Sequence, residues 1–410
     1  MHKYVISFGL LSLALSANGT EQSIKGIIDV RLSSVVNSGK SYISGGYGKF
    51  NHPEGLNFSL EQLGVHYAID FTSQWSANVV ANASTENGLG QIGVSEAYAQ
   101  YKWVPSVNGI RVTAKMGLYY PKISIENVSI AWSTPYTLTS SGINNWVGEE
   151  LRNTGFNISV EKLGKFHQSE HNFALSIDIF QNNDTAGAML AWHGWTVGNQ
   201  QSLIHQKLPI QQFSARDREL AFQAELSDPF IELDNRWGGH ISGDWSYRRR
   251  LSVTLGVYDN NAERGIVKNG QYTWDTAFLH SAIKFRISEQ WEILAQFMQG
   301  QTTMTSPKNL DLVDNKFSNH FLLARRWWDQ HQVAIRLEKF KVEDLDEIVG
   351  DNNDEQGRAL SISYRYKINR NVFLLAEYSV IHSDRWSRTY NELPSKLTEQ
   401  QYQIGTRYYF

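Results

Sequence analysis

Most of this chain alternates apolar and polar residues with a period of two. Phe173, Leu175, Ile177 and Ile179 are interleaved with Ser176 and Asp178. Leu251, Val253, Leu255 and Val257 alternate with Ser252, Thr254 and Gly256, and Leu360, Ile362, Tyr364, Tyr366 and Ile368 with Ser361, Ser363, Arg365 and Lys367. Period two puts successive side chains on opposite faces of an extended strand. The pattern predicts strands over Ile24–Val36, Leu56–Phe71, Trp75–Thr85, Ile92–Trp103, Ile110–Tyr119, Glu150–Lys162, Asn172–Asn182 and Gly238–Arg248. It continues with Leu251–Asn260, Thr273–Ile287, Trp291–Gln301, Phe317–Trp328, Gln332–Val342, Arg358–Ile368, Val372–His382 and Gln400–Phe410.

The connections fall into two classes. Tight turns stand at Thr72–Gln74, Val104–Gly109, Arg249–Arg250, Ser288–Gln290, Asp329–His331 and Asn369–Asn371, with a longer one at Leu163–His171. Long loops stand between them, among them Asn37–Gly55, Tyr120–Glu149, Asn183–Trp237, Thr302–Lys316 and Glu343–Gly357. Short and long connections on opposite sides of an even number of strands are the rhythm of an antiparallel transmembrane β-barrel. In water the apolar stripes would aggregate, whereas against lipid they are the solvated face. The expected fold is therefore all-β, a barrel of about sixteen strands, wide enough for an aqueous lumen. Trp75, Trp103, Trp291, Trp328 and Tyr366 lie next to tight turns, where an interfacial aromatic girdle would sit.

Composition agrees. Hydrophobic residues make up 41% and aromatics 12% of 410 residues, and mean hydropathy is negative. That is too polar for a helical membrane protein and ordinary for a barrel with a wet interior. Cysteine is absent, which excludes disulfides, thiolate catalysis and thiolate metal sites. A net charge of −3 gives no basic excess to attract nucleic acid. His2 and Lys3 precede an apolar run over Tyr4–Ala17 that is shorter than the ~20 residues of a spanning helix. Residues 1–19 read as a secretory signal peptide and 20–410 as the barrel. The final YQIGTRYYF places Tyr402, Ile404, Thr406, Tyr408 and Phe410 on one face and Gln403, Gly405, Arg407 and Tyr409 on the other. This ending resembles the C-terminal signature of bacterial outer-membrane barrels. The resemblance implies recognition by the barrel-insertion machinery.

The polar phase nominates lumen residues. Basic positions are Arg111, Lys115, Lys284, Arg286, Arg326, Arg336, Arg365, Lys367 and Arg407, concentrated on the later strands. Acidic ones are Asp29, Asp70, Glu96, Asp178, Asp244, Glu292, Glu338 and Glu377. Cations along a low-dielectric wall bias which ions enter, although each charge could equally hydrate the lumen or pair locally. Arg365, Lys367 and Arg407 are the leading group, expected on neighbouring strands.

The stretch MGLYYPKISIENVSIAWSTPYTL followed by WVGEELRNTG resembles a porin-like family of Gram-negative bacteria and, more distantly, phosphate-selective porins. The likeness is sharpest over Lys115–Gly155. It implies an outer-membrane location in contact with the lipid bilayer and lipopolysaccharide, a homotrimer, no cofactor, and a third extracellular loop folded into the barrel, the alternative being an external loop folded over the rim. That loop carries Glu126, Glu149 and Glu150, and the resemblance sets Glu126 across a constriction from the Arg365–Arg407 group. Lys122 is the one lysine there, which fits phosphate selectivity poorly.

Other motifs carry less. The acidic EDLDEIVGDNNDEQG lacks the ligand spacing of a calcium loop. His66, His280 and His320 all fall in the expected lumen phase, away from the outer wall where a barrel phospholipase would need a Ser/His/Asn group. No enzyme is expected. Three functions remain: a passive channel for small hydrophilic solutes, a substrate-specific channel of the same shape for anions, sugars or peptides, and a structural or adhesive barrel with a blocked lumen. The 55-residue loop Asn183–Trp237 keeps the third open.

Overall fold

Sixteen antiparallel strands close into a single barrel in the computed structural model. The structure describes residues 20–410 apart from 87, 88, 214, 216 and 217, so the expected signal peptide lies outside the described residues. The strands are β1 (Glu21–Val36), β2 (Gly55–Asp70), β3 (Trp75–Glu86), β4 (Leu89–Lys102), β5 (Ile110–Tyr119), β6 (Asn153–Lys162), β7 (His171–Gln181) and β8 (Gly238–Tyr247). They continue as β9 (Leu251–Asp259), β10 (Trp274–Arg286), β11 (Trp291–Thr305), β12 (Asp311–Trp328), β13 (His331–Asp344), β14 (Glu355–Lys367), β15 (Val372–Arg385) and β16 (Lys396–Tyr409). Each pairs with its neighbours in sequence, and β1 pairs with β16 from Ile27↔Tyr409 to Val36↔Gln400. Closure leaves no exposed sheet edge.

The outer face is as the period predicts. Phe173, Leu175, Ile177 and Ile179 are all exposed, as are Tyr402, Ile404, Tyr408 and Phe410. Trp75 stacks obliquely on Tyr101, which meets Trp103 edge-on, forming part of the expected girdle at the tight-turn end.

Three features depart from the expectation. First, β6 begins at Asn153, not Glu150. Residues before it form a buried helix, α1 (Gly142–Glu150), capped by Ser141, whose hydroxyl accepts from the Asn144 N–H. Second, Thr302–Lys316 is mostly strand: β11 and β12 run on as a ladder to a tight hairpin at 306–310. Third, the inner face is not uniformly polar. Phe180, Tyr258, Phe278, Met298, Phe317 and Phe340 point inward and are buried, packed with residues from the loops after β5 and β7. This half of the barrel holds an apolar core where water was expected.

Candidate functional site

The core exists because three loops fill the barrel mouth. Loop 1 (37–54), loop 3 (120–152) and loop 4 (182–237) are stitched together by backbone bonds. The Val197 N–H donates to the Lys49 carbonyl at 3.0 Å, Ser140 N–H to Gly198 at 2.6 Å, and Ser202 N–H to Gly148 at 3.0 Å. Trp146 of α1 meets Phe278 and Phe317 of the wall and Trp195 of loop 4 edge-on. Loop 4 contributes a second helix, α2 (Ala188–His193), wholly buried.

Charged side chains hold both ends of α2. Glu150 accepts from the Gly187 and Met189 N–H groups at its start and from the Trp146 indole at 2.5 Å. At its end, Arg385 donates to the Ala191 and Trp192 carbonyls and Lys49 to that of His193. Cations at the negative end of a helix complement its dipole, while Glu150 caps the N–H groups at the other end by hydrogen bonds. Burial, with Glu149 beside it, pushes the Glu150 carboxyl up to about 8. Burial pulls the Lys49 ammonium down to about 8 against its pairing with Glu355. Glu149 itself faces the His193 ring at 3.1 Å.

Loop 3 crosses the lumen and is pinned to the far wall. Glu126 pairs with Arg336 of β13 at 2.8 Å. Arg336 also donates to the Thr139 and Ser140 carbonyls. Glu377 of β15 accepts from the Leu138 and Thr139 N–H groups, and Glu338 from that of Gly142. Arg365 donates to the Pro135 carbonyl, and Arg407 to those of Thr134 and Leu138. Arg407 is held in turn by Asp29 of β1 at 2.6 Å, which also binds Arg31.

The expected inward loop is therefore present, with its partner reassigned. Glu126 faces Arg336, while Arg365 and Arg407 grip backbone carbonyls, because loop 3 runs right up to their wall and leaves no gap for a transverse field there. The two arginines are not on adjacent strands either, since β15 lies between them and places Phe373 opposite both Lys367 and Arg407. Lys367 is exposed near the tight-turn rim.

On the opposite side, Arg111 pairs with Glu161, and Lys115 lies over the Tyr98 and Tyr119 rings at 5.0 and 5.8 Å. Arg326 is a correction: it faces outward between Trp291 and Trp328, and its neighbour Arg325 occupies the lumen, paired with buried Glu292 at 2.5 Å. Adjacent arginines leave period two unable to choose between them. Lys284 and Arg286 stand near the same Glu292 at 3.4 and 3.9 Å, so three cations surround one acid. His320 is also on the outer face, exposed beside outward Leu322; among the described residues no hydrogen bond joins it to a serine. Arg31 was missed, although it shares the inward phase of Asp29 and could have been read from it.

A small polar cleft lies between loop 1, loop 4 and the wall of β2 and β3. Its cavity volume is about 40 Å³, and amides are prominent in its lining, among them Asn51, Gln62, Asn82, Asn199, Gln200 and Gln201. Gln62 donates to the Asn82 carbonyl oxygen at 2.8 Å and Asn51 to that of Asn199 at 3.1 Å. Asn51 Oδ1 and Gln200 Nε2 are buried without a partner.

No protein-family model matches the chain, and no curated protein sequence does. Solved structures share its fold. The outer membrane channel DcaP of Acinetobacter baumannii aligns with a TM-score of 0.55 at 10% identity, over 96% of this chain and 98% of that one. An anion-selective porin from Comamonas acidovorans aligns at 0.53 with 10% identity, over 95% and 100%. A trimer form of OmpT, an outer membrane protein of Vibrio cholerae, aligns at 0.53 with 9% identity, over 96% and 100%. At these identities the likeness establishes the sixteen-stranded barrel fold.

Proposed function

We propose that this chain is an outer-membrane channel of porin type, passing small hydrophilic solutes by diffusion without chemistry. The observation that carries this reading is loop 3 threaded across the lumen and fixed by the buried Glu126–Arg336 pair. An apolar-coated barrel supplies the membrane span and an inward loop supplies a constriction. The reading includes an outer-membrane location, contact with lipopolysaccharide, delivery by the barrel-insertion machinery through β16, and a homotrimer, the last supported by the likeness to a trimeric OmpT. Single-channel conductance of the purified protein in planar bilayers tests it. Discrete conductance steps are expected; a silent bilayer after verified insertion overturns the reading and favours the adhesive barrel.

A substrate-specific channel is the second reading, favoured by the amide-lined cleft. Its unpartnered Asn51 acceptor and Gln200 donor can each bond a hydroxyl of an uncharged solute passing the cleft. Conductance that falls as neutral sugars are added supports this second reading over the first.

A further inference from the structure

Two histidines meet inside the barrel although their strands are not neighbours. His240 of β8 and His280 of β10 have β9 between them, a gap of about 10 Å from strand to strand. Their rings reach over Gly256 of β9, which pairs with Ser242 on one side and His280 on the other. A Cβ on Gly256 would run into the His280 ring, so glycine at this position is what lets the two rings touch. Nε2 of one faces Nε2 of the other at 2.9 Å, with ring centroids 5.2 Å apart. Both side chains are buried.

The protons on this pair can be counted. Asp178 of β7 lies 2.8 Å from His240 Nδ1 and accepts from the Asn157 amide at 2.9 Å. A carboxylate only accepts, so His240 Nδ1 carries a hydrogen. With both rings neutral, His280 Nε2–H donates to the free Nε2 of His240. One added proton makes His240 an imidazolium between the Asp178 carboxylate and the His280 Nε2 lone pair, which suits every atom of the contact. A second added proton places an N–H on both facing nitrogens. Neither can then accept, two cations stand within hydrogen-bond distance, and the rings must part. His280 Nδ1 is buried without a partner, so no hydrogen bond on its far side holds the ring in place.

No other charge relieves that repulsion. Among the described residues the one ion pair of either ring is with Asp178. On the facing elements, Asp244 of β8 is paired with Lys122, and Lys284 of β10 with Glu292. Lys115 of β5 lies over the Tyr98 and Tyr119 rings, Tyr258 of β9 donates its hydroxyl hydrogen to Asn183, and Glu150 of α1 caps α2.

The pair adjoins the seat of α1. Tyr258 stacks on Phe278 at 4.7 Å, and Phe278 meets Trp146 of α1 at 5.5 Å. The His240 ring lies 6.5 Å from Tyr258, and the His280 ring 6.4 Å from Phe278. Rings that part press on the two aromatics that seat the helix.

We propose that Asp178, His240 and His280 form an acid-operated latch for loop 3. Closed, with a proton between the two rings, it leaves the Tyr258–Phe278 stack set against Trp146. Doubly protonated, it opens, α1 comes loose and the lumen widens. The proposal rests on the channel reading above and adds its regulation.

Hydrogen exchange of the α1 amides in the purified full chain, corrected for the intrinsic rate, tests the latch between about pH 7.5 and about pH 4, which spans the ordinary histidine range. Protection is expected to fall about tenfold in acid, and single-channel conductance to rise in parallel. H280Q keeps a polar side chain but cannot hold the second cation. At the higher pH its exchange and conductance should match the parent, and its acid response should be absent. G256A displaces the His280 ring at every pH, so its α1 amides should exchange faster at the higher pH already. Constant protection in the parent overturns the proposal, as does unaltered exchange in G256A. An acid response of equal size in H280Q also overturns it and assigns the response to the carboxylates that hold loop 3. A silent bilayer with the exchange response intact removes the channel reading and keeps the latch. Normal channels without the response remove the latch alone.

Discussion

Glu126 and Arg336, 210 residues apart, meet inside the barrel at 2.8 Å with both side chains fully buried. Arg336 also serves Glu338, so one guanidinium neutralises two acids while bonding two loop carbonyls. Removing one member of a buried pair strands the other, at a cost of about 3–5 kcal/mol. R336M should therefore release loop 3 from β13. Single-channel conductance should rise severalfold, and trypsin should cut within residues 120–152 where the parent resists. Unchanged conductance and cleavage would show that the pair does not hold the constriction.

Glu150 gives the plug a pH dependence. Its carboxyl is raised from 4.5 to about 8 in the fold, chiefly by burial. A group whose folded pKa is raised contributes fully below its unfolded pKa, and that contribution is lost as pH climbs through the folded value. Docking of α1 against α2 should accordingly weaken between about pH 4.5 and 8. Hydrogen exchange of the Gly187 and Met189 amides should accelerate over that window beyond the intrinsic base-catalysed rise. In E150Q the excess should vanish; an identical excess in the variant assigns it to another group.

Arg325 and Arg326 provide a test of strand phase. R326Q touches only Trp291 and Trp328 on the lipid side, so ion selectivity should stay constant and stability fall by about 1 kcal/mol or less. R286E combined with K367E, both in the lumen phase and neither bonded to loop 3, should move the reversal potential towards cations. A shift in the first variant and none in the second would mean the phase of these strands is inverted.

Gly26 and the terminal residue form a small joint. Their backbones exchange bonds of 2.9 and 3.1 Å, and the Phe410 ring covers the position a Cβ on Gly26 would take. G26V should displace that ring. Heat-modifiable mobility on gels should show unfolding at a lower temperature, by a few degrees for about 1 kcal/mol. An unaltered transition would make the ring's seat incidental.

The strands were legible because lipid demands an apolar residue at every second position, whatever lies inside. All sixteen appear, with Tyr402, Ile404, Tyr408 and Phe410 outward and Gln403 and Arg407 inward as read. The lumen was harder. Along β12, Phe317 and Phe321 point inward while Lys316 and His320 point outward, reversing the expected polarity. The inner residues answer to Trp146 and Trp195, which are distant in sequence, and the outer ones stand above the hydrocarbon. Pairings such as Glu126 with Arg336 depend on how far a loop reaches, and alternation within strands carries no record of that.

Asp29 and Arg407 join the first strand to the last, 378 residues apart, and the same arginine holds loop 3 by Thr134 and Leu138. Contacts of such separation form late, since the intervening chain must first lose its freedom. Loop 3 is made early, but Arg336, Arg365, Glu377 and Arg407, which seat it, all come after two-thirds or more of the chain. A barrel still short of its last strand is thus unsealed along its side and lacks the Arg407 anchor of loop 3. Zipping the seam and completing the seat of loop 3 become a single final step of assembly.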